Sequence, residues 1–341
     1  MDNKTLLVLP SIKLKNTGIY FYNLGLKKII GRNIYIVNTP SIKIFFILNK
    51  LILLPIILIF KIFLNKNIRT VVLPEEGYAF LIPIIKIFKV KLIQIVHDFR
   101  NFGDFENLTC KERLKLTYLN INYFFLSGAS KIIVPSNFVE KRIKKKINID
   151  VLTVPNFIIE KKKEDIKYNK ILLKKKYFLL ISTNDTYKNI SVLIDLFSKK
   201  NWTLYWIAKE NFSSKRHVSE SKIAHIKNIK IFKNINNNKL KRLIKNSQAI
   251  LSPSLFEGFG RNNIEAQYYK KFIICSNIPI FREINKKNTI FVTKPKIKKN
   301  WEIAINNFLK KKIKLKKNRS IDKYILNHNN IFFYRNKLNI T

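Results

Sequence analysis

Cysteine, glycine, proline and acidic residues are all scarce in this chain. Of 341 residues, 2 are Cys, 8 are Gly, 10 are Pro and 21 are Asp or Glu, against 66 Lys or Arg. Cys110 and Cys275 lie far apart and in no metal-ligand spacing, so no disulfide framework is indicated and a reducing compartment fits. The four histidines (His97, His217, His225, His328) form no H-x-x-x-H cluster. So little glycine and proline excludes collagen-like and Pro/Gly-rich low-complexity chains. The opening MDNKTLLVLP is acidic at its second residue and carries too short an apolar run for a signal peptide.

What is present is globular. Hydrophobic residues make up 47%, aromatics 13% and charged residues 26%, which excludes a disordered chain. A single core stops growing at roughly 250–300 residues, so two domains are expected. The net charge is 66 − 21 = +45. Taken alone it points to nucleic acid, an anionic membrane or a phosphorylated ligand. Yet only 11 of the 66 basic residues are Arg, and Ile, Asn, Phe and Tyr are abundant too. A/T-rich codons favour these residues and spread Lys over every solvated face. A true anion site must therefore show itself in local geometry.

Short apolar runs alternate with helix-like segments. Strands are expected at Thr5–Leu9, Asn33–Asn38, Thr70–Leu73, Lys91–Val96, Lys131–Val134 and Val151–Val154, with a helix from Thr17-Gly18 to Ile30. The charged stretch 160–176 reads as a linker. A second alternation follows: strands Tyr177–Ser182, Thr203–Ala208, Ile229–Phe232, Ala249–Leu251 and Phe272–Cys275, with helices near Asn189–Lys199 and Asn238–Asn246 and from about Asn263. Strands separated by helices imply parallel sheets covered on both faces. The expected architecture is α/β: an N-terminal Rossmann-like domain over 1–160, a linker over 161–176 and a C-terminal Rossmann-like domain over 177–315. A tail over 316–341 is positioned to pack back on the N-terminal domain.

Phe45–Leu64 (FFILNKLILLPIILIFKIFL) is long enough to span a bilayer but is interrupted by Asn49, Lys50, Pro55 and Lys61. A buried crossover helix is the expectation, with a helix partly exposed at a membrane surface as the alternative. Ile82–Val90 (IPIIKIFKV) offers a second apolar-basic surface, so Lys50, Lys61, Lys86 and Lys89 are expected to face an anionic membrane.

The sharpest local feature is SPSLFEGFGRNNIEA, beginning at Ser252. In a chain so poor in glycine, Gly258 and Gly260 stand two apart, after a strand and before a helix. Such a strand–loop–helix faces an anion with helix N–H groups and the helix dipole. Glu257 lies in the loop and Glu265 in the first helical turn, and a carboxylate can hold the two hydroxyls of a ribose. Two readings stand open here. In the other, Glu265 completes a capping box begun by Asn262 and the glycines only shape a turn.

EGFGRNNIEA resembles the E-x7-E signature of glycosyltransferase family 4, retaining enzymes of the GT-B fold. The longer stretch PSLFEGFGRNNIEAQYYKKFIICSNIPIFREI is similar to that family's donor site, with its later S-x-x-P-x-x-x-E portion. TGIYFYNL resembles the N-terminal Gly-rich loop, QIVHDF the strand-ending His, IIVPSNFVEKRI the V-x-S-x-F segment, VPNFI the V-x-N-G segment and LISTNDTYKNISVLIDLF the R-x-x-K-N segment. The resemblance covers about residues 5–310. It implies two Rossmann-like domains whose parallel sheets face across a cleft. It also implies roles. Glu265 holds the nucleotide ribose. Glu257 contacts the donor sugar, beside backbone groups of Gly258, Phe259 and Gly260. Lys188 neutralises the diphosphate. Gly18 brings backbone N–H groups to it, and His97 faces the sugar. Ser136 and Glu283 are further donor-site candidates, each with a helix cap or surface role as the alternative. The chain departs from the pattern at three places. Asn184, Asp185, Thr186 and Tyr187 stand where the family has its usual Arg, which shifts diphosphate binding onto Lys188 and Arg261. Gly18 has no glycine partner. Phe157 replaces the V-x-N-G glycine.

The implied function is transfer of a sugar, with retained configuration, from a nucleotide-diphosphate sugar to a saccharide or lipid-linked saccharide in cell-surface polysaccharide or lipopolysaccharide synthesis. No D-x-D motif is present and no metal cofactor is expected. The expected location is cytoplasmic, at the inner face of the membrane. The rival enzyme reading is a GT-B sugar-nucleotide epimerase or a catalytically weak donor-binding protein. The non-enzyme rival is a basic nucleic-acid-binding protein, against which stand the even spread of Lys and the lack of a nucleic-acid motif.

Overall fold

Near-continuous apolar runs of three to six residues, too short for helices, form two all-parallel sheets whose central strands are buried on both faces. The computed structural model describes residues 3–10, 18–31, 33–39, 49–106, 108–158, 176–208, 218–310 and 319–338. The chain divides into two compact units, Met1–Glu160 with Lys323–Thr341, and Lys161–Asp322. Most of the linker expected over 161–176 lies outside the described residues.

In the first unit six strands take the order β2-β1-β3-β4-β5-β6: β1 Lys4–Leu9, β2 Ile34–Asn38, β3 Ile68–Leu73, β4 Lys91–Ile95, β5 Lys131–Val134 and β6 Val151–Thr153. Helix α1 (Gly18–Ile30) joins β1 to β2. The chain then reverses across β1, and α2 (Leu54–Leu64), α3 (Ile82–Lys86), α4 (Cys110–Phe125) and α5 (Asn137–Lys144) lead to successive strands. The pleat sorts the side chains. Leu6, Val8, Val71 and Leu73 pack under α2 to α5, whereas Leu7, Val72, Ile93 and Ile95 pack under α1. Thr109 and Glu112 form a capping box that starts α4, and Pro55 and Pro83 sit at the opening of α2 and α3.

The tail returns to this unit. Helix α12 (His328–Leu338) lies on the α1 face, with Leu338 fully buried. Arg335 Nε donates to the Ile29 carbonyl at 2.8 Å, at the C-terminal end of α1 where carbonyls lack helical partners. Gly31 has φ +99°, and a Cβ there would meet the Arg335 guanidinium at 2.8 Å. Phe157, in place of the expected glycine, packs its ring on Tyr334 at 5.6 Å.

In the second unit the order is β12-β11-β10-β7-β8-β9: β7 Phe178–Ile181, β8 Leu204–Ile207, β9 Ile229–Phe232, β10 Ala249–Ser252, β11 Phe272–Ser276 and β12 Thr289–Val292. Its helices are α6 (Ser191–Phe197), α7 (Glu220–Ala224), α8 (Asn237–Asn246), α9 (Arg261–Tyr268), α10 (Pro279–Ile284) and α11 (Lys298–Lys310). Trp206 of β8 and Trp301 of α11 anchor one face of its core.

The crossover helix expected in Phe45–Leu64 is present over part of that stretch, and the expectation for Lys50 is corrected. Of Phe45–Leu64, residues 45–48 lie outside the described set, and the rest is a π-type turn (Asn49–Leu53) followed by α2. Among the described residues no helix is long and apolar enough to cross a membrane. Lys50 does not face outward. Its Nζ lies 3.8 Å from the Tyr78 ring centroid and 3.8 Å from Glu75 Oε1. A carboxylate and an aromatic face from the next crossover give the ammonium a better partner than a distant lipid surface.

Candidate active site

The glycine-bearing loop leaves β10 and ends at Gly260, which caps α9 with φ 83° and ψ 49°. A Cβ at Gly260 would meet Phe281 Cε1 at 2.7 Å and Ile284 Cδ1 at 3.0 Å, so dihedrals and space both require glycine. Ser252 Oγ lies 2.5 Å from Asn263 Oδ1, and Asn262 Nδ2 donates to the Ile181 carbonyl at 2.6 Å. These bonds hold the start of α9 against the ends of β7 and β10. A depression there is lined by Ile181, Ser182, Ser254, Glu257, Gly260 and Asn262.

Both acids of the motif are half-buried and paired with cations. Glu257 Oε1 accepts from Lys188 Nζ at 2.6 Å and from Ser254 Oγ at 2.8 Å. Lys188 closes a 3-10 turn (Thr186–Lys188) after β7, and Asn189 follows in the left-handed region at φ 51°. The Leu255 N–H donates to the Tyr187 carbonyl at 2.8 Å, which ties the Lys188 turn to the Glu257 loop. Gly258 and Phe259 are buried between the two pairs. Glu265 Oε1 accepts from Arg261 Nε at 2.8 Å. The capping-box alternative fails, because the cap of α9 is Gly260 and Glu265 lies beyond the third helical position. Arg261 sits at the positive end of the helix dipole, where a cation is disfavoured. Helix start, Arg261 and Lys188 thus concentrate positive potential at one loop, offset by two carboxylates. Glu283 is half-buried on α10, two residues from the Phe281 ring that packs against Gly260.

The first unit gathers its candidates at the C-terminal ends of its strands. Gly18 opens α1, and the Asn156 Nδ2 donates to its carbonyl at 3.4 Å. One turn along α1, the Tyr22 ring meets the His97 ring edge-on at 5.0 Å. His97 Nε2 lies 3.0 Å from the Pro74 carbonyl, and its backbone N–H donates to Glu76 Oε2 at 3.0 Å. Burial holds the His97 imidazole below the ordinary histidine value, so the neutral ring is favoured. Burial, with the charges of Asp98 and Glu75 behind it, pushes the Glu76 carboxyl up to about 8. Burial would raise Asp98 likewise, but its ion pair with Arg100 outweighs this and holds it below the usual carboxylate value. Ser136 caps α5, its Oγ accepting from the Val139 N–H at 3.2 Å.

Three residues that support this geometry escape a sequence reading. Ser254, which holds Glu257, lies inside the motif but outside the E-x7-E pattern. Asn156, buried beside Gly18, follows a strand end, a position that is itself a signal. Glu76 shows nothing in sequence, because its partner lies 21 residues on.

Residues 161–327 match the model of the family described as "Glycosyl transferases group 1". The O-antigen chain mannosyltransferase RfbU of Salmonella typhimurium is 26% identical over 181 residues, 52% of this chain and 50% of that protein. The match thus spans about half the length of this curated relative. Among solved structures, sucrose-phosphate synthase of Thermosynechococcus elongatus superposes with TM-score 0.75 at 13% identity, covering 99% of this chain and 98% of that one. Anabaena Alr3699/HepE, in complex with UDP and glucose, gives 0.71 at 13% identity with the same coverage. The lipopolysaccharide outer core galactosyltransferase WaaB gives 0.64 at 13% identity, covering 98% of this chain and 99% of that one. These likenesses show the fold: α/β, two six-stranded parallel sheets, with neighbours among GT-B glycosyltransferases.

Proposed function

We propose that the chain is a glycosyltransferase that draws on a nucleotide-diphosphate sugar and keeps the anomeric configuration. The observation that carries this reading is the pair of ion pairs, Lys188–Glu257 and Arg261–Glu265, flanking the start of α9. A diphosphate offers both cations a doubly charged partner, which frees both carboxylates to accept sugar hydroxyls. In this reading Glu265 takes the ribose hydroxyls and Glu257 the donor sugar. Backbone groups of Gly258, Phe259 and Gly260 line the loop, with Glu283 at its edge. In the first unit, Gly18 N–H groups serve the diphosphate and neutral His97 the sugar, while Ser136 acts as a helix cap that fixes its loop.

In the reaction the C1–O bond to the diphosphate breaks through an oxocarbenium-like state, and a new C1–O bond forms to the acceptor on the same face. The acceptor's hydroxyl proton passes to an oxygen of the departing phosphate, so no protein base is named. Lys188 and Arg261 stabilise the leaving charge without a metal cofactor. EDTA is expected to leave donor binding unchanged.

The similarity to an O-antigen mannosyltransferase and to a lipopolysaccharide galactosyltransferase supports a saccharide or lipid-linked acceptor in cell-surface polysaccharide synthesis at the cytoplasmic face of the membrane. Thermal-shift screening against UDP-, GDP-, ADP- and dTDP-sugars tests the reading. One donor class raises the melting temperature of the wild type and not of Glu265→Ala. An equal shift in both proteins would remove Glu265 from the site.

A further inference from the structure

Helix α2 is apolar at every position but Lys61. Leu54, Leu58 and Ile62, four residues apart, form its buried stripe. On the opposite side Ile56, Phe60 and Phe63 are exposed, with Phe63 at 70% and the neighbouring Leu64 at 72%. Ile87, directly after α3, is 76% exposed. On α4, Leu114, Ile121 and Phe124 share one exposed stripe, with Phe124 at 81%. All three helices cover the same face of the first sheet. Exposed apolar side chains on one face, at this density, mark an interaction surface.

The charge around them has one sign. Residues 3–74 contain no Asp or Glu, against 11 Lys or Arg. Lys61, Lys66, Lys86 and Lys89 are exposed on or beside α2 and α3. Most acids of the neighbouring segments are engaged elsewhere: Glu75 lies by Lys50, Glu76 is buried under the His97 N–H, Asp104 pairs with Arg142 and Glu112 is locked in the cap of α4, while Glu106 before α4 is exposed. A second copy docking by this same face would set four lysines against four lysines, with few carboxylates to meet them. Helix α2 has 11 residues and, at about 1.5 Å each, spans roughly half of a hydrocarbon core about 30 Å thick. It can lie in a bilayer interface and cannot cross one.

We infer that this face of the first unit seats on an anionic phospholipid leaflet, with α2 and the exposed Leu114, Ile121 and Phe124 of α4 entering the acyl boundary and Lys61, Lys66, Lys86 and Lys89 reaching headgroup phosphates. The inference goes beyond the proposed reaction and does not depend on it. The vesicle test below reads only the surface, so its failure leaves donor binding untouched.

Flotation of the full chain with phosphatidylcholine vesicles, with and without phosphatidylglycerol, tests it. Phe60→Ser/Phe63→Ser/Leu64→Ser removes the apolar part. Lys61→Gln/Lys66→Gln/Lys86→Gln/Lys89→Gln removes the basic part. Lys227→Gln/Lys230→Gln/Lys298→Gln/Lys310→Gln takes the same charge from exposed positions of the other unit. All these side chains are exposed, so unchanged melting temperatures are expected. The wild type is expected to bind anionic vesicles at least tenfold better than neutral ones. The first two variants are expected to lose tenfold or more, and the control less than threefold. Equal loss in the control would reduce the effect to bulk charge and overturn the inference. So would full binding by the apolar variant, no binding by the wild type, or a wild-type dimer that the apolar variant dissolves.

Discussion

Lys188 and Glu257, 69 residues apart in sequence, meet at 2.6 Å between the loops that follow β7 and β10. The pair is half-buried, with side-chain exposures of 15% and 21%, and Ser254 completes the carboxylate's bonding. Breaking it leaves Glu257 facing only a hydroxyl. Lys188→Met is expected to cost about 1–2 kcal/mol of stability. It should weaken nucleotide-sugar binding at least tenfold, with Lys188→Arg recovering part of the loss. Calorimetric titration and denaturant melts check both.

Arg261 spans one helical turn to Glu265 and sits against the helix dipole. Arg261→Leu removes an unfavourable cation from the helix start. The variant is expected to stay within about 0.5 kcal/mol of the wild type in stability, because losing an i,i+4 pair is offset by removing a cation from the positive end of the helix. Its nucleoside diphosphate affinity should fall at least fivefold. A drop in stability without a drop in affinity would make Arg261 structural.

Gly260 has no room for a methyl group. Gly260→Ala adds positive-φ strain to a contact with Phe281 and is expected to cost about 2–4 kcal/mol. Adding Phe281→Leu relieves the contact but not the strain, so the double variant should melt above Gly260→Ala and below the wild type.

Glu76 links stability to pH. Its carboxyl, pushed up to about 8, keeps a proton in the folded chain that the unfolded chain sheds near the ordinary glutamate value. Folded chains then hold more protons, so stability falls as pH rises toward 8, by at most about 1.4 kcal/mol per unit. His97, held below its ordinary value, acts oppositely: the unfolded chain gains a proton below about pH 6.5 and stability is lost on that side. Between pH 6.5 and 8 the Glu76 effect stands alone of the two. Urea melts of the wild type should weaken across this window, and those of Glu76→Gln should stay flat.

Much of the fold can be read from sequence because its signals are local. KIIV and IKIF are short, mostly apolar runs bounded by polar residues or proline, and they form β5 and β9 with the expected ends. In so glycine-poor a chain, Gly260 announces the loop it caps. Strand β12, Thr289–Val292, was not legible, since its four residues carry little pattern and gain identity only by pairing with β11. Lys50 misleads for the same reason: its partners Glu75 and Tyr78 come from another crossover. In the site, the spacing of Glu257 and Glu265 was legible. The cations that hold them were legible only as candidates, because a pairing over 69 residues is a property of the sheet and not of the segment.

The grip of Glu265 on a ribose is tested most directly by comparing a nucleoside diphosphate with its 2′,3′-dideoxy analogue in calorimetric titrations. The wild type should prefer the ribose form at least tenfold, and Glu265→Ala should bind the two alike. Equal affinities in the wild type, or a preference that survives in Glu265→Ala, would contradict the account.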